Sequence, residues 1–99
     1  MYIVMKHLAI LVEFLGTFLF LLTIVVTGNP FVIGLALAFL IYLGLDISGG
    51  HFNPAVTLMT LFNNGIKIDD ASGYIVAQIT GGILAISLYN AFLNTKKSK

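Results

Sequence analysis

The residues best suited to chemistry in this chain stand in one run, Ser48-Gly49-Gly50-His51-Phe52-Asn53-Pro54-Ala55. Two glycines interrupt any helix that reaches them. Asn-Pro then starts a new helix, with Asn53 as N-cap and Pro54 at the first helical position, where a missing N–H costs nothing. The Asn53 side-chain oxygen can accept from the N–H of Ala55 or Val56. That bond would fix the amide and so orient its NH₂ donors. Two other groups join the inventory. Glu13 is an ionisable side chain inside an apolar run, which makes function the default suspicion. It could carry a proton. His51, inside the run, is a titratable ring.

Other chemistry is excluded. The chain has no cysteine, so neither a disulfide nor a thiolate metal site is available. His7 and His51 are too few and too far apart for zinc, so we expect no metal and no cofactor. Glu13 and His51 alone make no catalytic set, which leaves a membrane enzyme without support. The basic residues form no stripe, so nucleic acid is not expected as a partner. Lys96, Lys97 and Lys99 suit contact with anionic lipid head groups.

The elements that must position these groups are membrane helices. Of 99 residues, 59% are hydrophobic and 9% charged. So small a chain could not hide that much apolar surface in water, which makes lipid its solvent. The length suits a single domain over 1–99. Residues 8–27 form an apolar stretch broken by Glu13, about what a bilayer core of roughly 30 Å requires. Lys6 before it could signal secretion, but the run exceeds an h-region and no small-x-small cleavage site follows. It reads as a retained span. Gly28-Asn29-Pro30 marks a turn. A second span is expected over 31–47 and a third over 71–93. Asp46, Asp69 and Asp70 read as solvated ends of elements.

Between the second and third spans the pattern predicts a short helix over 54–62, stopped by Asn63-Asn64-Gly65. About nine residues cover only some 13–14 Å, under half a bilayer. A helix lying on the membrane surface would need a polar, basic face. Here the apolar residues are spread all round. The segment is therefore expected to dip into the membrane and return. Irregular backbone at that depth must line a wet cavity or be covered by protein.

The run Ser48-Gly49-Gly50-His51-Phe52-Asn53-Pro54-Ala55-Val56-Thr57 resembles the first-half signature S-G-A-H-x-N-P-A-V-T of the aquaporin and glycerol-facilitator family. Glu13-Phe14-Leu15-Gly16-Thr17-Phe18 is similar to the E-F-x-G-T-F of that family's first helix. Tyr74, Ala77, Gln78 and Gly81-Gly82 are similar to the Y-x-x-A-Q-x-x-G-A of its third. The pieces come in the family's order and cover nearly the whole chain, but only half the family's fold. The resemblance implies an all-α membrane protein: three transmembrane helices plus one re-entrant Asn-Pro-Ala half-helix, half of an aquaporin-like fold.

Further expectations rest on that resemblance. One repeat supplies half a pore wall, so the simplest complete channel is a homodimer of chains inserted in opposite directions. Lys6 and Lys67 fall on one side and Lys96, Lys97 and Lys99 on the other, a charge balance that permits dual topology. By analogy with tetrameric members, four dimers would make an octamer. Asn53, Pro54 and Ala55 would form the pore centre, where two half-helix N-termini, each carrying roughly half a positive charge, would meet and repel cations. The family's selectivity constriction maps to Ile33 of one copy with Ile41, Gly50 and Val56 of the other, apolar and without the usual arginine. That implies a passive channel for water and small uncharged solutes such as glycerol. His51 would edge the pore mouth and Glu13 would anchor the loop with Gln78. Gly16, Gly81 and Gly82 would let helix backbones approach. Competing readings are a small dual-topology proton-coupled drug exporter, which needs four full spans, and a non-conducting or heteromeric channel subunit.

Overall fold

A computed structural model describes residues 2–94. The lysine-rich tail with Lys96, Lys97 and Lys99 lies outside the described residues. Every element among them is helical.

Helix α1 runs Tyr2–Thr27, six residues earlier than the apolar pattern alone indicates. Lys6 is a good helix former, and its charge has partners. Its Nζ lies 3.0 Å from Asp69 Oδ2 and 3.1 Å from Asp70 Oδ1, which clasps the start of α1 to the start of a later helix. Asn29 caps α2, Pro30–Ser48, by accepting from the N–H groups of Phe31 and Val32 at 2.9 and 3.1 Å. Helix α2 stops where Gly49 takes φ +90°, and the Gly49 N–H closes the last turn onto the Leu45 carbonyl. Helix α3 is the short one, Pro54–Phe62. Helix α4 covers Ile68–Leu88 and continues into a π-helical turn, Tyr89–Leu93. It starts three residues before the expected 71 because Asp69 and Asp70 suit the positive end of a helix in its first turn.

Three helical stretches are long and apolar enough to cross a membrane: Val4–Thr27, Pro30–Ser48 and Ile68–Leu93. Helix α3, with 9 residues, is not. Helix α1 is central, packed against α2 on one side and α4 on the other, while α3 lies against α4. Ala71, Ala77, Gly81 and Ala85 are buried along α4. A Cβ at Gly81 would stand 2.7 Å from the Phe14 carbonyl oxygen, so the α1 and α4 backbones nearly touch there. Close backbone approach of this kind holds helices together where lipid removes the hydrophobic drive. Helix α2 turns Phe31, Leu35, Phe39 and Tyr42 outward, all highly exposed. In a bilayer such a face meets acyl chains or another polypeptide.

Candidate functional site

The site is built around Glu13, whose side chain is fully buried between α1, α4 and the loop that joins α2 to α3. Its Oε2 accepts from the Ser48 hydroxyl at 2.7 Å and the His51 N–H at 3.0 Å. Its Oε1 accepts from the Phe52 N–H at 2.7 Å and from Gln78 Nε2 at 2.9 Å. Four donors thus satisfy one carboxylate far from water, which is how such a group is accommodated at all. The Ser48 hydroxyl in turn accepts from the Gly50 N–H at 3.1 Å, and the Tyr74 hydroxyl donates to the Ser48 carbonyl at 2.6 Å.

These bonds determine which way the loop faces. In a trans peptide the N–H and the preceding C=O point in opposite directions. The N–H groups of Gly50, His51 and Phe52 are drawn inward to Ser48 and Glu13. The carbonyls of Gly49, Gly50 and His51 must therefore point outward from Glu13. No donor among the described residues meets them. The result is a short ladder of acceptors on the side of the loop away from the carboxylate.

The ladder ends at the tip of α3. Asn53 Oδ1 accepts the Ala55 N–H at 2.8 Å, so of the two candidates for the capping bond the structure selects Ala55. Among the described residues neither Asn53 Nδ2 nor the Val56 N–H meets an acceptor. Two donors and the positive end of α3 thus stand just past three carbonyls. A molecule that both donates and accepts hydrogen bonds could be handed from one set to the other.

Phe52 holds the turn in place. Its φ of +52° lies in the left-handed region, which costs a residue with a Cβ about 1–3 kcal/mol. The short bond to Glu13 and the buried ring offset that strain. The ring fills a notch made by two glycines: a Cβ on Gly16 would run into it, and one on Gly44 would stand 3.1 Å away. This corrects the reading of Gly16. It makes room for a loop aromatic, whereas Gly81 admits the backbone of α1. Gly82 sits under the Leu21 side chain.

Profile comparison decides the family: residues 24–99 match the one described as Major intrinsic protein. The chain belongs to the major intrinsic protein family. Glycerol uptake facilitator protein-like 6 of Lactiplantibacillus plantarum is 43% identical over 98 residues, covering 90% of this chain and 44% of the relative. Probable aquaporin PIP2-8 of Arabidopsis thaliana is 36% identical, covering 88% and 37%. Aquaporin-B of Dictyostelium discoideum is 40% identical, covering 78% and 31%. The chain thus spans less than half the length of each of these relatives. No solved structure matches it. It is an integral membrane protein with half of an aquaporin-like fold, and its family comprises channels rather than enzymes.

The other singled-out residues of this major intrinsic protein half fall as follows. Gln78 does not touch the loop backbone. Its Nε2 joins Glu13 to the Thr57 hydroxyl of α3, at 2.9 Å each, so it ties the half-helix to the carboxylate. His51 Nδ1 lies 2.9 Å from Thr57 Oγ1, and the imidazole meets the Tyr74 ring edge-on with centroids 5.1 Å apart. Burial pushes the His51 imidazole below its ordinary pKa, against the pull of the Glu13 carboxylate. Ile41 packs on Gly50, where a Cβ would stand 3.1 Å from the Ile41 Cα. Ile33 lies about two turns before Ile41 in α2. Val56 is half-buried in the first turn of α3.

Ser48, Thr57, Tyr74 and Phe52 stand in the runs and motifs read from sequence but were given no individual role there, and Gly44 stands in none of them. Hydroxyls in apolar surroundings were the available signal for the first three, because a membrane core gives them no water to bond. Past the α3 tip a cleft of about 460 Å³ opens between α1 and α4, lined by Thr17, Leu21, Asn53, Pro54, Gly82 and Ile83 among others. Thr17 Oγ1 and Gln78 Oε1 are buried beside it without hydrogen-bond partners.

Proposed function

We propose that the chain forms a passive channel for water and small uncharged solutes such as glycerol, assembled from two copies inserted in opposite directions. The observation that carries this is the one-sided wall: three outward carbonyls ending at the free donors of Asn53 and Val56. A neutral hydroxyl compound can use both sets, whereas a cation meets the positive end of α3. The names of the relatives, a glycerol uptake facilitator and aquaporins, agree with that solute class.

Two copies are invoked because one wall encloses nothing. At 1.5 Å per residue α3 covers about 14 Å, close to half of a roughly 30 Å core. The cleft beyond its tip is the other half of the same α1–α4 groove. A second half-helix entering from the opposite face would continue the line. Asn53, Pro54 and Ala55 of both copies would form the centre, with Ile33, Ile41, Gly50 and Val56 at the two constrictions and His51 at each mouth. With Val56 uncharged at both ends, the pore would admit solutes larger than water. Four such dimers would form an octamer.

The exporter reading loses ground on one observation. Glu13 has no exposed surface and four donors, so it offers no face to a lipophilic cation.

The test is osmotic shrinkage of liposomes holding the purified chain, with water and then glycerol, beside Asn53→Asp. Aspartate keeps the cap but removes the NH₂ donors and adds negative charge at the centre. Permeability should stand well above empty liposomes for the native chain and fall toward them for N53D. Native permeability equal to that of empty liposomes would remove the self-sufficient channel, leaving the heteromeric subunit. C-terminal tags should appear on both membrane faces; tags on one face alone would remove the inverted pair.

A further inference from the structure

We infer that His51 is a specificity-determining donor, locked with its proton on Nε2 by a directed hydrogen-bond chain running from Gln78 through Thr57.

The direction follows from counting hydrogens. The Glu13 carboxylate accepts only, so Gln78 must present its NH₂ to it. One amide hydrogen goes to Glu13 Oε1 and the other to Thr57 Oγ1. Both are then used, and the Gln78 amide cannot flip without setting two acceptors against each other. Thr57 is fully buried and already accepts from Gln78. Its hydroxyl has one hydrogen to give. The neighbour within hydrogen-bond distance that can still take it is His51 Nδ1, at 2.9 Å. A proton on Nδ1 would aim two donors at the Thr57 oxygen and strand its hydroxyl hydrogen in a buried site, which is costly. His51 Nδ1 is therefore the acceptor, and the proton sits on Nε2.

The other side of the ring agrees. Among the described residues Nε2 meets no acceptor, and the imidazole is partly exposed. Nε2 lies beside Gly49, where a Cβ would stand 3.3 Å from it. The glycine leaves the N–H side open next to the outward carbonyls of Gly49 and Gly50. The ring itself cannot swing freely, because the Tyr74 edge and the Thr57 bond hold it on two sides.

A fixed Nε2–H beside carbonyl acceptors recognises a group that offers both a lone pair and a hydrogen, which is a hydroxyl or a water molecule. It offers nothing to a cation. In the channel proposed above, which this inference rests on for the donor's target, it supplies at each mouth a polar discrimination that Val56 cannot. The orientation of the chain itself stands or falls without transport.

The experiment is nitrogen-15 solid-state NMR of histidine-labelled protein in liposomes at neutral pH, in a His7→Gln background so that His51 is the one histidine. The expected spectrum shows a protonated Nε2 and an unprotonated, hydrogen-bonded Nδ1. Thr57→Ser should preserve it, and Thr57→Val should release the lock and produce a measurable Nδ1–H fraction. A spectrum with Nδ1–H dominant, or a doubly protonated ring, would overturn the inference in the parent protein alone, even if T57V did not fold. An unchanged spectrum in folded T57V would overturn it as well. If transport fails in liposomes while the lock is seen, the channel reading falls and the chain of bonds stands.

Discussion

The groove between α1 and α4 has two halves that share both helices and differ in almost everything else. The half closed by the α2–α3 loop, with α3 against α4, is polar: Gln78 Nε2 bridges Glu13 and Thr57, and Glu13 takes the loop N–H groups, all at 2.7–3.0 Å. The half beyond the α3 tip is a cleft whose walls are Phe20 and Leu21 of α1 and Ile79, Gly82 and Ile83 of α4, with Asn53, Pro54 and Gln78 at its polar end, and the Thr17 hydroxyl meets no partner there among the described residues. The contrast shows what each half is for. Polar groups are used where the chain must hold an irregular loop at membrane depth, since unpaired backbone there costs several kcal/mol per group. In the channel proposed above, the other half would receive the half-helix tip of the second copy, Pro54 and Ala55 against its apolar walls.

The harshest way to break the contrast is to damage the polar half at its centre. Glu13→Gln replaces one accepting oxygen with an NH₂ that confronts N–H and hydroxyl donors. At least one loop bond is lost and a donor is left buried beside another. We expect a loss of stability on the order of 3 kcal/mol, with solute permeability falling to that of empty liposomes. Thermal unfolding in detergent, read beside liposome shrinkage, measures both. A stable, conducting E13Q would mean that the loop is held by its own turns and not by the carboxylate.

A smaller break comes at the boundary between the halves. Gly16→Val puts side-chain atoms where the Phe52 ring lies, so the ring must leave its notch or α1 must shift. Overpacking of this sort costs about 1–3 kcal/mol. Pairing it with Phe52→Leu, which shortens the intruding ring, should recover part of the loss, and a double-mutant cycle by thermal unfolding would show the coupling. Additive effects would place Phe52 outside the Gly16 notch.

How much of this was legible in sequence follows from range. The start and stop of α3 were readable because Asn53-Pro54 and Asn63-Asn64-Gly65 act within a few residues. The starts of α1 and α4 fall earlier than the apolar pattern indicates for the opposite reason. Lys6 and Asp69 are 63 residues apart, and their pairing lets charged turns join the helices. Glu13 was picked out as an ionisable group in an apolar run, and the resemblance gave it the loop-anchoring role that its bonds to the His51 and Phe52 N–H groups show. Its bond to Gln78, 65 residues away, was not legible. Phe52 was the least legible. Nothing local announces a left-handed phenylalanine, and the paired glycines that admit its ring are on different helices.

The smallest effect sharpens the comparison from the open half. Thr17 and Thr57 are both buried threonines, one on each side of the boundary. The hydroxyl of Thr57 accepts from Gln78 and contacts His51, while that of Thr17 makes no hydrogen bond. Valine has nearly the same shape as threonine but no polar atom. At position 17 it removes a group that was desolvated without return, so Thr17→Val should leave stability within about 0.5 kcal/mol of the parent, or raise it slightly. At position 57 the same change leaves the Gln78 amide and the imidazole short of a partner. Chemical or thermal unfolding of T17V in detergent, where copies are dilute, isolates the single chain. Should T17V lose more than about 1 kcal/mol there, the hydroxyl has a hidden partner inside the chain, with the unpaired Gln78 carbonyl the natural one, and the two halves of the groove are less different than they look.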